Sequence, residues 1–226
     1  VLALGTHRSA LDEAVDLVRR DPEDHPGLMV KLLGQQALAA GLGGDLATCD
    51  AAVAEARAIV TEHATTPWAD AELDRYHALR FALVGRPAEG VEAALAAADQ
   101  LERLGQPAGA AGAVYFASVM GRMAGLTDMS ELLQRGLDLA VTSGSRMQVA
   151  LMQAELAQHQ RARRAPDALE QLRRAAEAVE RIGNTRTAAV CRRDLGLELL
   201  LVDRADEAVP ELLRAARGLI RVDPSA

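Results

Sequence analysis

One pattern returns about every 40 residues along this chain. A small residue opens an alanine-rich amphipathic stretch at Ala14, Cys49, Gly90, Ser130, Ala168 and Ala208, giving separations of 35, 41, 40, 38 and 40 residues. Acidic residues precede it in Leu11–Asp12–Glu13–Ala14 and again in Ala205–Asp206–Glu207–Ala208. A repeat of this length with helical spacing demands stacked helical hairpins, because one hairpin cannot bury its own apolar face and must lean on the next. The expectation is an all-α fold over residues 1–226, one domain made of a leading helix and five hairpins, with no long low-complexity linker to divide it.

Turn and cap chemistry places the breaks. A leading helix is predicted over Ser9–Arg20, stopped at Asp21–Pro22 because proline cannot donate the next hydrogen bond. Hairpins follow near Gly27–Glu62, Trp68–Leu104, Ala108–Thr142, Arg146–Arg181 and Thr185–Ile220. Their joints are Thr65–Thr66–Pro67, Gly105–Gln106–Pro107, Ser143–Gly144–Ser145 and Gly183–Asn184. The turns inside hairpins fall at Gly41–Leu42–Gly43–Gly44, Gly85–Arg86–Pro87, Gly125–Leu126–Thr127–Asp128, Arg163–Arg164–Ala165–Pro166 and Asp203–Arg204–Ala205.

Aromatic residues make up only 2% of the chain, so the seams must close through Leu, Val and Ala, and small residues let helices approach closely. In the fifth hairpin Leu195, Gly196, Leu199, Ala208, Leu212 and Ala215 recur at helical spacing and form its inner stripe. The second hairpin offers Ala78 and Phe81 against Gly90, Ala94 and Ala97. Gly90 and Gly196 are expected at close crossings, where packing offsets the roughly 1 kcal/mol that glycine costs a helix.

These residues resemble the tetratricopeptide repeat (TPR) family. Its signature is Leu-Gly in the first helix, an aromatic three residues later, then small, bulky and small positions on the second helix. Leu195–Gly196, Ala208, Leu212 and Ala215 follow it, with Leu199 in place of the aromatic. Leu33–Gly34 with Cys49, Val53 and Ala56, and Leu156 with Ala168, Leu172 and Ala175, fit as well. In the third hairpin Ser118, Gly121, Ser130, Gln134 and Leu137 keep the spacing, although Gln134 is polar where the family has a bulky apolar residue. The period near 40 resembles the longer-helix variety found in sensor regions of bacterial signalling ATPases and transcriptional regulators. The resemblance implies a right-handed α–α superhelix and a regulatory, cytoplasmic interaction module. Mapped onto this sequence, the family's inward-facing positions are Arg75, Tyr115, Arg122, Gln153, Gln160 and Arg193, a wall suited to an acidic peptide. Arg grips a carboxylate with two aligned hydrogen bonds, and Tyr115 adds rigid area. The bland reading is that these arginines lay their stems along the helices and keep their heads in water.

The reactive residues form no recognisable constellation in sequence. Gly41–Leu42–Gly43–Gly44 lacks the Lys-Ser/Thr of a phosphate loop and reads as a turn. The histidines are His7, His25, His63, His77 and His159; Asp74 and His77 sit three apart on one helix, a spacing better suited to packing than to a metal. Cys49 occupies a small buried-repeat position. Cys191 precedes Arg192 and Arg193, and cations lower a thiol pKa where the thiol is accessible. An enzyme would need His159 and Cys191 to meet in a cleft. The expectation is therefore no catalysis, no metal and no cofactor. Two distant cysteines give no disulfide framework and point to a reducing compartment.

No apolar run reaches the roughly 18 residues of a membrane span, and the opening residues lack the pattern of a secretion signal, so the chain starting at Val1 reads as a trimmed piece. Net charge is -7, but residues 146–193 carry ten Arg against five Asp/Glu, a net +5. That segment either docks an acidic partner or is a solvated face. Nucleic acid is disfavoured by the overall charge and by the lack of interleaved aromatics. The sequence thus reads as a protein- or peptide-binding scaffold or sensor, with a small-molecule effector domain as the alternative. Val209, Leu212, Leu213, Leu219 and Ile220 mark the terminal helices as a place for an adjoining domain or a second copy.

Overall fold

The computed structural model describes residues 2–19, 25–42, 44–63 and 68–222. Among them are eleven α-helices and no strand: α1 (Leu2–Val18), α2 (Pro26–Leu42), α3 (Leu46–Glu62), α4 (Trp68–Leu83), α5 (Pro87–Arg103), α6 (Pro107–Met123), α7 (Ser130–Thr142), α8 (Arg146–Ala162), α9 (Ala168–Arg181), α10 (Thr185–Leu201) and α11 (Ala205–Val222). This is the all-α array of hairpins that the repeat requires. The leading helix begins earlier than its predicted Ser9. Its stop at Asp21–Pro22, the joint Thr65–Thr66–Pro67 and Gly43 lie outside the described residues.

The chain forms two compact units, one spanning Leu4–Asp128 and the other built on Met129–Ala226. In the first, α2 pairs with α3 and α4 with α5, while α4 also packs on α2 and α6. Its core joins Val15, Leu33, Val53, Ala56 and Leu73. In the second, α7 through α11 pack each on the next, around Ala154, Leu172, Val179, Cys191, Leu195 and Leu199.

The first helices keep a strict metre: α4, α6, α8 and α10 begin at residues 68, 107, 146 and 185, each 39 after the last. The joints between hairpins follow it, with left-handed glycines at Gly105, Gly144 and Gly183, φ 67, 67 and 78°. Such a residue ends one helix and redirects the chain, which costs glycine nothing. Ser145 and Asn184 then cap α8 and α10 by accepting from Gln148 N at 3.3 Å and Thr187 N at 3.0 Å. The turns inside hairpins use the same conformation at Gly44, Gly85 and Gly125, but at Arg164 and Asp203 in the last two, with φ 55 and 59°.

That metre corrects the third hairpin. The left-handed residue and the first buried position of the second helix are five apart in Gly44–Cys49, Gly85–Gly90 and Asp203–Ala208, but four apart in Arg164–Ala168 and Gly125–Met129. The turn after Gly125 is one residue shorter, so the buried series is Met129, Leu133, Gly136 and Ala140, not Ser130, Gln134 and Leu137. Ser130 is exposed, and so is Gln134, whose amide instead donates to Asp138 Oδ1 at 2.8 Å. The polar residue in the signature was a register slip.

Close crossings fall where expected. A Cβ on Gly90 would run into the Met120 sulfur and lie 2.9 Å from the Ala78 carbonyl oxygen; one on Gly196 would lie 2.6 Å from Leu212 Cγ. Gly34 is covered by the Tyr76 ring, 2.6 Å from where a Cβ would stand.

Candidate functional site

The six predicted wall residues divide evenly, Arg75, Tyr115 and Arg122 in the first unit and Gln153, Gln160 and Arg193 in the second. Arg75 is largely consumed by structure. Its guanidinium donates from Nε to Glu72 Oε2 at 2.8 Å and lies 4.1 Å from the Tyr76 ring centre and 5.3 Å from that of Phe116. Only 11% of its side chain meets solvent. Gly109 helps to hold the arrangement, since a Cβ there would lie 2.5 Å from Glu72 Oε1. Beside it, a cleft of about 140 Å³ lies between α2 and α4, where Gln35 Nε2 donates to Tyr76 Oη at 2.6 Å and Lys31 sits 4.8 Å over the Trp68 ring. Tyr115 is half-buried with its ring centre 5.9 Å from that of Phe116, and Arg122 is exposed at the end of α6.

In the second unit Arg193 behaves differently. Its Nε and Nη2 both donate to Asp194 Oδ1, at 3.0 and 2.8 Å, while 48% of its side chain stays exposed. Asp194 is buried and therefore fixes the guanidinium in place, and the exposed Leu197 lies one turn further along α10. Gln160 is half-buried, and its Oε1 has no hydrogen-bond partner among the described residues. Gln153 is exposed in an open groove of about 580 Å³ floored by α8, between the C-terminal ends of α7 and α9.

Sequence reading missed the strongest electrostatic cluster. Arg192, with 9% of its side chain exposed, donates from Nε and Nη2 to the two oxygens of Glu180 and from Nη1 to Glu211 Oε2, each at 2.5 Å. Hydrogen bonding to Glu180 is the main cause that raises the arginine pKa, against the opposing cost of burial, and the same bond holds the Glu180 carboxyl below its ordinary range. Glu180 and Glu211 lie 12 and 19 residues from Arg192, separations with no helical meaning, so only the packing of α9, α10 and α11 could reveal the triad.

The reactive residues are placed for structure. Cys191 is fully buried in the core of the second unit, and Cys49 is buried with its thiol pKa pushed up by desolvation. The cleft that would join Cys191 to His159 is therefore not formed. His159 instead stands with Nε2 3.2 Å from Ser130 Oγ, an oxygen that also accepts from Arg163 Nη1 at 3.1 Å. This contact pins the start of α7 to the last turn of α8. His77 packs against Phe81, ring centres 5.9 Å apart, and burial is the leading cause that lowers its pKa. Among the described residues no three His, Cys, Asp or Glu side chains are grouped to hold a metal, and no helix is long and apolar enough to cross a membrane.

No protein-family model and no curated protein matches the sequence. Solved structures do resemble it. BtubC (BKLC) from P. vanneervenii superimposes with TM-score 0.68 at 15% identity, over 99% of this chain and 94% of that one. A Podosopora anserina kinesin light chain of nearly identical TPR-like repeats gives TM-score 0.59 at 13% identity, over 89% of this chain and 99% of that one. The Signal Transduction ATPase with Numerous Domains (STAND) protein with a tetratricopeptide repeat sensor from Pyrococcus horikoshii gives TM-score 0.65 at 16% identity, over 94% of this chain and 34% of that one. These likenesses show a TPR-like helical-repeat fold.

Proposed function

We propose that the chain is a noncatalytic interaction module, a protein- or peptide-binding scaffold or the sensor part of a bacterial regulatory protein, and that its first-helix wall reads acidic peptides. Arg193 is the observation that carries this reading. A buried carboxylate orients its guanidinium, the side chain remains half-exposed, and Leu197 supplies an apolar neighbour, so little conformational entropy is lost when a carboxylate docks. In the first unit, taken by itself, Tyr115 and Arg122 are the candidate contacts, and Arg75 is held by Glu72 rather than open to a ligand. The likeness to the Pyrococcus horikoshii protein with its tetratricopeptide repeat sensor supports the regulatory version.

The terminal helix offers a second surface. Val209, Leu213 and Ile220 form an exposed stripe on α11, whereas Leu169, 40 residues before Val209 on α9, packs against the core of the second unit. A helix from an adjoining domain or a second copy fits the same seat. The small-molecule effector reading needs an enclosed apolar pocket, whereas the clefts described above are open with charged rims.

An array of immobilised acidic-aliphatic peptides probed with the purified chain tests the wall. Loss of binding to a subset of these peptides in Arg193→Glu, with helicity unchanged by circular dichroism, is the expected result. An array that stays blank, or is read equally by the variant, overturns it.

A further inference from the structure

The groove over α8 has a twin one period later. Val141, Gly144, Val149, Ala150 and Gln153 line it, and the residues 39 further on, Glu180, Gly183, Ala188, Ala189 and Arg192, line a smaller groove of about 290 Å³ over α10. On the far wall Ala178 corresponds to Gly218, one residue further because the last turn is longer. The two sites are the same gap between successive second helices, built twice from different side chains.

The twin is filled from within. Arg192 rises from its floor, Glu180 binds it from the end of α9, and Glu211 bridges it to Arg214 Nη1 at 3.0 Å. This gap therefore accommodates carboxylates held by guanidinium groups. In the open groove those internal occupants are gone: Val141 replaces Glu180 and Gln153 replaces Arg192. What remains is an aliphatic lining of Val141, Val149 and Ile182, with Arg146 and Arg181 at the rim. Neither arginine is paired with a carboxylate among the described residues; Arg181 Nε donates only to the Glu177 carbonyl oxygen, at 3.3 Å. Two unneutralised guanidiniums beside exposed aliphatic surface are an unfinished site.

We infer that the groove over α8 binds a short aliphatic peptide segment through an acidic side chain, the carboxylate taking the rim arginines, the aliphatic side chains covering Val141 and Val149, and the Gln153 amide bonding the peptide backbone. The site lies on the second-helix side and uses none of the residues of the Arg193 wall except Gln153, so it stands or falls separately from the reading above.

The probe is the doubly capped peptide Ac-Leu-Glu-Ala-Leu-NH2, followed by nuclear magnetic resonance titration of the labelled chain. Shifts centred on Val141, Val149, Gln153 and Ile182 are expected. Ac-Leu-Gln-Ala-Leu-NH2 should bind at least tenfold more weakly, as should the wild-type peptide to Arg146→Gln/Arg181→Gln. Val141→Glu/Gln153→Arg rebuilds the self-filled twin and should abolish binding while leaving the fold intact. Arg193→Glu should leave these shifts unchanged, which separates this site from the wall. The inference is overturned if the Glu peptide causes no shifts at the groove, if the Gln peptide matches it, or if octanoate alone saturates the groove and blocks the peptide.

Discussion

Replacing Gly90 by alanine is the sharpest test of how these helices are held together. In an open helix interior that change stabilises by about 1 kcal/mol, because alanine loses less backbone entropy. At Gly90 the new methyl would meet three groups at once: the sulfur of the fully buried Met120 on α6, the Ala78 carbonyl oxygen of α4 at 2.9 Å, and Phe81 Cβ at 3.3 Å. A side chain could swing away, but a backbone carbonyl moves only if α4 moves. Overpacking of this kind costs about 1–3 kcal/mol, and the carbonyl contact places Gly90 in the upper half of that range. Subtracting the helix-propensity gain leaves a net loss of about 1–2 kcal/mol. Gly27→Ala is the matched control, since nothing lies within 4 Å of a Cβ there; near the start of α2 it should be neutral or stabilise by a few tenths of a kcal/mol. Urea denaturation followed by the fluorescence of Trp68, the one tryptophan and the first residue of α4, reports on the affected unit. Adding Met120→Val to Gly90→Ala removes the sulfur and should recover part of the loss, giving a coupling energy. If Gly90→Ala stabilises as Gly27→Ala does, the helices do not cross there and the assigned register is wrong.

Arg164→Gly should stabilise the second unit by roughly 0.5–1 kcal/mol in chemical denaturation, because a left-handed arginine is strained where Gly85 and Gly125 serve the other turns; a loss would show that the Arg164 side chain matters more than its backbone. Arg192→Met should cost about 2 kcal/mol at neutral pH by stranding Glu180 and Glu211, less than for a fully buried pair because Glu180 is 44% exposed. Since Glu180 is held below its ordinary pKa, the wild-type advantage is present above the glutamate range and fades as pH falls through the depressed value, so the two proteins should converge in acid. For His77 the pKa is lowered from 6.5, so the unfolded chain binds the proton first and stability falls as pH drops below about 6.5 toward the folded value; His77→Gln should flatten that slope in thermal denaturation at pH 5 to 7, and an unchanged slope assigns the effect elsewhere.

The hairpins were legible because their information is local. Proline at Pro87 and Pro107, the caps Ser145 and Asn184, and the left-handed glycines each act within one turn of helix, and their recurrence sets the metre. The third hairpin misled because Ser130 is as small as the Ala and Gly of its neighbours, while the residue buried there is the larger Met129. A one-residue difference in turn length leaves no mark on composition. The wall was less legible for the same reason. Arg75 and Gln153 are 78 residues apart, two full periods, whereas Tyr115 and Arg193 match the next residue along, Tyr76. Gln160 corresponds to Leu199, a fully buried core position, which accounts for its half-buried amide. A single-residue drift turns a helical position by about 100° and moves it from surface to seam.

The charge of the segment 146–193 was the most misleading global signal, and the period explains it. Arginines before residue 193 meet acids that follow it: Arg161 Nη1 donates to Glu198 at 3.1 Å, Arg173 Nη2 reaches Glu207 at 3.5 Å, and Arg192 binds Glu211. Cutting the sequence at residue 193 separates donors from acceptors and manufactures a basic patch out of what the fold neutralises. Surface pairs such as Arg173 with Glu207 add little stability, being half-exposed on both sides. Their effect is subtractive: they remove those arginines from the set available to a partner. Arg193 is tied to Asp194 yet half-exposed, and Arg146 and Arg181 flank an aliphatic groove without carboxylates of their own among the described residues. Which arginines of this segment a partner could meet therefore follows not from how many it holds but from which of them the next repeat leaves unanswered.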